Sequence, residues 1–167
     1  MNTVTMEGAP LHLEGQFPEV GKKAPDFTAL TNDLAPRKLS DYAGRIMVLL
    51  SVPSLDTPVC DMEVRRFNTE AAHLSDKVSI VALSCDLPFA QARWCGAAGV
   101  KAVETLSDHM GTEFGLNYGV LIKELRLLAR AVFVVAPDGT LAYSEIVPEV
   151  TSEPDYKAAL AAVAKLA

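Results

Sequence analysis

The chain has 167 residues, of which half are hydrophobic and 22% are charged, and its formal net charge is −6. This composition predicts one globular domain over residues 1–167 and excludes a disordered chain. The negative balance argues against nucleic acid or an anionic membrane as a partner. No apolar run reaches about 18 residues, so no membrane span is expected. The N-terminus lacks the basic start and continuous apolar stretch of a signal peptide.

Residues 3–14 alternate polar and apolar side chains around a Gly-Ala-Pro break, which predicts a small hairpin. Residues 15–45 are rich in Gly, Pro and charge, and we expect an irregular lead-in there. The almost entirely apolar run Ile46–Val52 predicts a central strand that is covered on both faces. A helix is predicted from about Pro58 to Ser75. Its apolar stripe consists of Val64, Phe67, Ala71 and Leu74.

The second half of the chain continues the alternation of strands and helices. Strands are predicted at Val78–Ser84, Val103–Leu106, Ala131–Ala136 and, after a Pro-Asp-Gly turn, Leu141–Val147. Helices are predicted from the opening Asp86-Leu87-Pro88 to about Ala97 with a stop at Gly99, at Ser107–Tyr118, and at Glu153–Leu166. This order predicts an α/β protein with a mixed sheet and helices on both faces. It is similar to the thioredoxin-like layout, with an N-terminal β-hairpin added.

The chain contains three cysteines, and this odd number does not indicate a structural disulfide framework. We therefore expect a cytoplasmic protein. In the cytoplasm, disulfides are more often catalytic than structural. The three histidines form no metal-ligand spacing with the cysteines, and no Cys-x-x-Cys pair is present. No phosphate-binding Gly loop or dinucleotide fingerprint occurs either. We expect neither a metal nor a cofactor.

Cys60 lies where the apolar run Ile46–Val52 passes into the first predicted helix. Thr57 is a favourable cap before Pro58, and this register places Cys60 in the first helical turn. Free backbone N–H groups and the helix dipole favour a thiolate there. A thiolate is the reactive nucleophile, although a cysteine packed as a small hydrophobic residue would also fit this position.

The segment PSLDTPVC has the pattern Pro-x-x-x-Thr-x-x-Cys and resembles the peroxiredoxins. The resemblance implies that Pro53 shields the thiolate from water and that Cys60 attacks the O–O bond of a hydroperoxide. It also implies that the Thr57 hydroxyl hydrogen-bonds the sulfur and the incoming peroxide. A role for Thr57 as a helix cap alone remains the alternative.

Peroxiredoxins also use an arginine from a distant strand, and Arg130 in LLARAVFVV matches its position. Its implied role is to favour the thiolate and to hold the polar peroxide. Two alternatives are open. Arg130 could be a surface residue at a strand end, or Arg126, one turn earlier, could take the role.

Cys95 lies in PFAQARWCGAAG, which resembles the bacterial thiol peroxidases, a branch of the peroxiredoxins whose resolving cysteine is in the second helix. The resemblance extends from the N-terminal hairpin to EPDYKAALAAV. It implies that Cys60 becomes a sulfenic acid, that Cys95 forms an intramolecular disulfide with it, and that thioredoxin or a similar reductant regenerates both thiols. Hydrogen peroxide and alkyl or lipid hydroperoxides are the implied substrates, and a homodimer is the implied assembly.

Two cysteines on different helices are not expected to lie within the Cα separation of about 7 Å that a disulfide needs. We therefore expect them to be farther apart in the reduced protein, and both helices to unwind locally. The alternative for Cys95 is a buried helix residue, and Cys85 is expected to have a packing role. A redox sensor that turns over poorly is the competing functional class. A thioredoxin-like dithiol oxidoreductase is disfavoured because the vicinal cysteine pair is missing.

Overall fold

The computed structural model describes residues 2–70 and 73–167. The strands are β1 (Thr3–Met6), β2 (Ala9–Glu14), β3 (Thr28–Leu30), β4 (Pro36–Lys38), β5 (Ile46–Ser51), β6 (Val78–Ser84), β7 (Val103–Ser107), β8 (Leu121–Ile122), β9 (Leu127–Leu128), β10 (Ala131–Val135) and β11 (Leu141–Ile146). The helices are α1 (Pro58–Glu70), α2 (Pro88–Ala98), α3 (Glu113–Asn117), α4 (Tyr156–Leu166) and a 3-10 helix at Leu39–Tyr42. None of the helices described is long and apolar enough to cross a membrane.

The main sheet has seven strands in the order β11-β10-β5-β6-β7-β3-β4. Strands β5, β6 and β7 pair in parallel, and β10 pairs antiparallel with both β5 and β11. A second, antiparallel sheet joins the N-terminal hairpin to two short strands in the order β1-β2-β8-β9. The mixed sheet and the hairpin that the sequence predicts are therefore confirmed.

Every side chain of β5 is buried, so this strand is central and covered on both faces as predicted. Met47 and Leu49 belong to one hydrophobic core, which includes Phe114 of α3 and residues of the hairpin. Val48 and Leu50 belong to the other core, which includes side chains of α1 and α4. Because successive strand residues point to opposite faces, the sheet carries helices on both sides, as predicted.

Residues 15–45 differ from the prediction, because they contain β3, β4 and the 3-10 helix rather than only irregular chain. The two strands have three residues each, which is too short to produce a visible alternation of side chains. The same reason explains why the two-residue strands β8 and β9 were not predicted.

The third helix is shorter than the predicted Ser107–Tyr118. Thr112 has a left-handed backbone with φ 48°, and this conformation stops a helix from extending across it. Helix α1 is described to Glu70, and Ala71 of its predicted stripe lies outside the described residues. Helix α2 ends as predicted, with Gly99 in the left-handed conformation at φ 67°.

Candidate active site

The topology brings the start of α1 and the start of β10 to the same edge of the sheet. Strand β10 runs antiparallel to β5, and Ala131 lies opposite Ser51, the last residue of β5. Arg130 immediately precedes β10, and the loop that leads from β5 to Cys60 begins one residue after Ser51. Residues 70 positions apart are therefore neighbours in space.

Arg130 contacts the thiol of Cys60 directly, with 3.2 Å between Nη2 and Sγ. Cys60 is completely buried and Arg130 is 1% exposed, so the alternative of a surface arginine at this strand end is wrong. Arg126 lies elsewhere: its side chain is 59% exposed and forms an ion pair with Glu14 at 3.7 Å. The structure thus brings Arg130, and not Arg126, to Cys60.

Three acceptors fix the guanidinium of Arg130. Besides the contact with Cys60, Nη1 donates to Glu63 Oε2 at 2.6 Å and Nε donates to the carbonyl oxygen of Val150 at 2.8 Å. The ion pair is almost fully buried, with exposed side-chain fractions of 2% for Arg130 and 0% for Glu63. A guanidinium held in this way keeps one N–H group directed at the sulfur.

Glu63 was missed by the sequence reasoning, although a signal was present. It lies three residues after Cys60 and one residue before Val64, and Phe67 completes an i, i+3, i+4, i+7 series with them. Glu63 therefore occupies a core position of α1. A carboxylate buried in the core requires a buried cationic partner.

Burial raises the pKa of the Glu63 carboxyl to about 7, although Arg130 acts in the opposite direction and Glu145 and Glu153 add to the increase. For Arg130, burial alone lowers the pKa, but the Cys60 thiolate and Glu63 outweigh it and raise the pKa. Both pKa values therefore rise, but for different reasons: burial is the largest cause for Glu63, whereas the attraction of Cys60 and Glu63 outweighs burial for Arg130. Oε1 of Glu63 has no hydrogen-bond partner within the described part of the chain.

Thr57 caps α1. Its hydroxyl oxygen accepts a hydrogen bond from the backbone N–H of Cys60 at 3.3 Å, and its hydroxyl hydrogen is donated to the carbonyl oxygen of Ser54 at 3.1 Å. This is the cap geometry predicted for a threonine before Pro58, and the hydroxyl hydrogen is directed to Ser54 rather than to the Cys60 sulfur, as the alternative of a helix cap describes. Pro53 is buried in the same loop.

Asp86, two residues after the end of β6, fixes this loop. Its Oδ1 accepts the Ser54 hydroxyl at 2.8 Å, and its Oδ2 accepts the backbone N–H of Leu55 at 2.9 Å. Ser84, the last residue of β6, donates its hydroxyl to the same Oδ2 at 2.7 Å. The sequence predicts only that Asp86 opens a helix, and its hydrogen bonds to the Cys60 loop were not predicted.

The three cysteines are free thiols in this structure. Cys95 lies on α2, and its Sγ is 3.5 Å from Oγ1 of Thr105 on β7. Because Thr105 donates its own hydroxyl hydrogen to Asn32 Oδ1 at 3.0 Å, the Cys95 thiol is the donor in this contact. Cys95 is half-buried, so the alternative of a fully buried helix residue does not apply.

Cys85 packs against the core formed around Met47 and Leu49. Burial raises its pKa to about 12, and the nearby carboxylates of Asp108 and Asp86 contribute to the increase. This environment disfavours a thiolate. The contrast with Cys60, which faces a guanidinium, agrees with a packing role for Cys85.

Known proteins with similar sequences identify the family of this chain. The Redoxin family profile matches residues 19–160. A thiol peroxidase from Bacillus subtilis is 53% identical over 157 residues, which cover 94% of this chain and 93% of that protein. A thiol peroxidase from Staphylococcus aureus (strain MRSA252) is 52% identical, covering 97% of this chain and 98% of that one.

Two solved structures extend the comparison to the fold. The crystal structure of a peroxiredoxin-like protein from Aquifex aeolicus has a TM-score of 0.93 and 37% identity, covering 100% of this chain and 98% of that chain. A thiol peroxidase from Chromobacterium violaceum has a TM-score of 0.88 at 19% identity, with coverages of 98% and 96%, and this likeness concerns the fold alone. The chain belongs to the Redoxin family of thioredoxin-like proteins and, within it, to the bacterial thiol peroxidase branch of the peroxiredoxins.

Proposed function

We propose that this protein is a thiol-dependent peroxidase for hydrogen peroxide and alkyl or lipid hydroperoxides, with Cys60 as its nucleophile. The observation that carries the proposal is the 3.2 Å contact between Arg130 and the buried Cys60 sulfur. A fixed cation beside a thiol at a helix N-terminus favours the thiolate form, which is the nucleophile.

In the first step the Cys60 thiolate attacks one oxygen of the hydroperoxide. The O–O bond breaks and the sulfur becomes a sulfenic acid. The departing hydroxide or alkoxide takes up a proton and leaves as water or an alcohol. Arg130 stabilises the negative charge that develops on the leaving oxygen. Pro53 shields the site from water, and the Thr57 hydroxyl turns from Ser54 to the sulfur and the peroxide when substrate enters.

In the second step the Cys95 thiolate attacks the sulfur of the Cys60 sulfenic acid. A disulfide forms between Cys60 and Cys95 as the S–O bond breaks, and the departing hydroxide takes up the proton that the Cys95 thiol lost and is released as water. A thioredoxin-type dithiol then reduces this disulfide by exchange. The contact of Cys95 with Thr105 on β7 supports the expectation that α2 must open locally before the sulfurs meet.

Peroxide consumption in the presence of thioredoxin, thioredoxin reductase and NADPH tests the proposal. Wild-type protein should turn over steadily, and Cys60→Ser should abolish turnover. Cys95→Ser should consume one equivalent of peroxide and then stop, and Cys85→Ser should behave as the wild type. A single oxidation without turnover in the wild type would favour the redox-sensor class instead.

We further propose that residues 1–167 act as one domain and that the protein forms a cytoplasmic homodimer. The Redoxin match over most of the chain supports the single domain. Exposed apolar side chains near the start of α2, Leu87 at 53% and Phe89 at 68%, support an association between copies. Sedimentation velocity of the wild type and of Phe89→Ser tests the assembly. A monomeric wild type would contradict it.

A further inference from the structure

The residues next to the two proposed redox cysteines contact each other across the interface of α1 and α2. Asp61 follows Cys60, and its Oδ1 accepts a hydrogen bond at 2.9 Å from Nε1 of Trp94, which precedes Cys95. Arg65 donates from Nε to the other Asp61 oxygen at 2.8 Å, and its guanidinium lies 5.8 Å from the centre of the Trp94 ring system. We refer to Asp61, Arg65 and Trp94 as the interhelix cluster.

The second half of α2 is only partly buried, although Trp94 and Ala98 pack against the core that contains Val48 and Leu50. The fully buried residues of this helix, Pro88 and Gln91, both lie in its first half. Residues 92–98 are exposed or half-buried. Two further contacts hold this segment: Arg65 Nη1 donates to the carbonyl oxygen of Ala98 at 3.3 Å, and the Cys95 thiol contacts Thr105. A helix segment without a fully buried residue opens at lower free energy than a core helix, and the interhelix cluster is one of the contacts that oppose its opening.

The space next to the interhelix cluster is open. A cleft of about 360 Å³ lies between α1 and α2, and Thr57, Asp61 and Trp94 are among its lining residues. The Cys95 thiol instead faces Thr105 on β7. Movement of Cys95 towards Cys60 therefore displaces its neighbour Trp94 from Asp61.

We propose that Asp61 is a positioning residue that delays the disulfide-forming step. Its hydrogen bond holds Trp94 against α1 and thereby keeps the adjacent Cys95 in its place on α2. This inference rests on the proposed chemistry of Cys60 and Cys95. In that step the S–O bond of the sulfenic acid breaks as the S–S bond forms, and water leaves, so no further reactant is required. The interhelix cluster therefore sets how long the sulfenic acid persists and remains open to a second peroxide.

Removal of the cluster should accelerate disulfide formation by about three- to tenfold. Hydrogen bonds to a carboxylate are stronger than neutral ones. The exposed side-chain fractions of 49% for Arg65 and 34% for Asp61 place the cluster partly in solvent, which reduces the effect.

The test is a single-turnover experiment with one equivalent of hydrogen peroxide, quenched with a thiol-alkylating reagent and analysed by mass spectrometry. Asp61→Ala and Trp94→Phe each remove one side of the hydrogen bond. Asp56→Asn is a matched control, because this exposed carboxylate beside Thr57 lies outside the cluster. Trp94 is the only tryptophan, so its fluorescence reports the opening in every variant that retains it.

We expect disulfide formation to be three- to tenfold faster in both cluster variants and unchanged in Asp56→Asn. The double variant should be no faster than the faster single variant, because both substitutions remove the same bond. The yield of overoxidised Cys60 at excess peroxide should fall in parallel. Wild-type or slower disulfide formation in both variants would overturn the inference. Absence of the Cys60 sulfenic acid or of the Cys60–Cys95 disulfide in the wild type would instead overturn the proposed function.

Discussion

Replacement of Glu63 by alanine should destabilise the protein and slow the first chemical step. Glu63 and Arg130 form an ion pair 2.6 Å long whose side chains are 0% and 2% exposed. Removal of one partner of such a pair leaves a buried charge uncompensated and costs about 3–5 kcal/mol. Arg130 would retain its contacts with Cys60 and Val150, so we expect the lower end, about 3 kcal/mol.

The assay is urea unfolding of Glu63→Ala in the presence of a reductant that keeps all thiols free. In thermal unfolding, the same loss of about 3 kcal/mol corresponds to a decrease of roughly 6–12 °C in Tm for a chain of this size. Glu14→Ala is the matched control, because it removes the same side chain from the exposed pair with Arg126 and should change stability by no more than about 0.5 kcal/mol. The rate of Cys60 oxidation should also fall, because the guanidinium is less well fixed. A stability loss no larger than that of the control, about 0.5 kcal/mol, would refute this reasoning.

Three further substitutions test other parts of the site. Arg130→Lys retains the charge but not the three directed contacts, so oxidation of Cys60 by hydrogen peroxide should slow about tenfold to hundredfold, and a change within twofold would contradict this role. Asp86→Ala removes two hydrogen bonds to the Cys60 loop, so the same rate should fall about tenfold without loss of α-helix in circular dichroism, and an unchanged rate would exclude a role in positioning. Burial raises the pKa of Asp108 to about 6, so this carboxyl favours the fold below its unfolded pKa and loses that contribution as the pH rises through 6. The free energy of unfolding of the wild type, relative to that of Asp108→Asn, should therefore decrease by roughly 2–3 kcal/mol between pH 4 and pH 7. A difference between the two proteins that does not change with pH would contradict this prediction.

The parts of the fold that the sequence predicts well are those with continuous patterns. Strands β5, β6 and β10 are apolar runs of five to seven residues, and their periodicity is sufficient to identify them. The short strands β3, β4, β8 and β9 have two or three residues each, which is too few to show an alternation of side chains.

The candidate site divides in a similar way. Local motifs identified Cys60 and Thr57, and a family pattern identified Arg130. The periodicity of α1 places the Glu63 carboxylate in the core and so indicates a buried cationic partner, but it does not show that this partner is Arg130. The hydrogen bond between Asp61 and Trp94 depends on how two helices pack, which neither helix reveals by itself.

The most direct test of the central claim is mass spectrometry of the reduced protein after one equivalent of hydrogen peroxide, with and without Cys95→Ser. We predict a Cys60–Cys95 disulfide in the wild type and a trapped Cys60 sulfenic acid in the variant. A disulfide that involves Cys85, or a Cys60 that remains reduced while peroxide is consumed, would contradict the account.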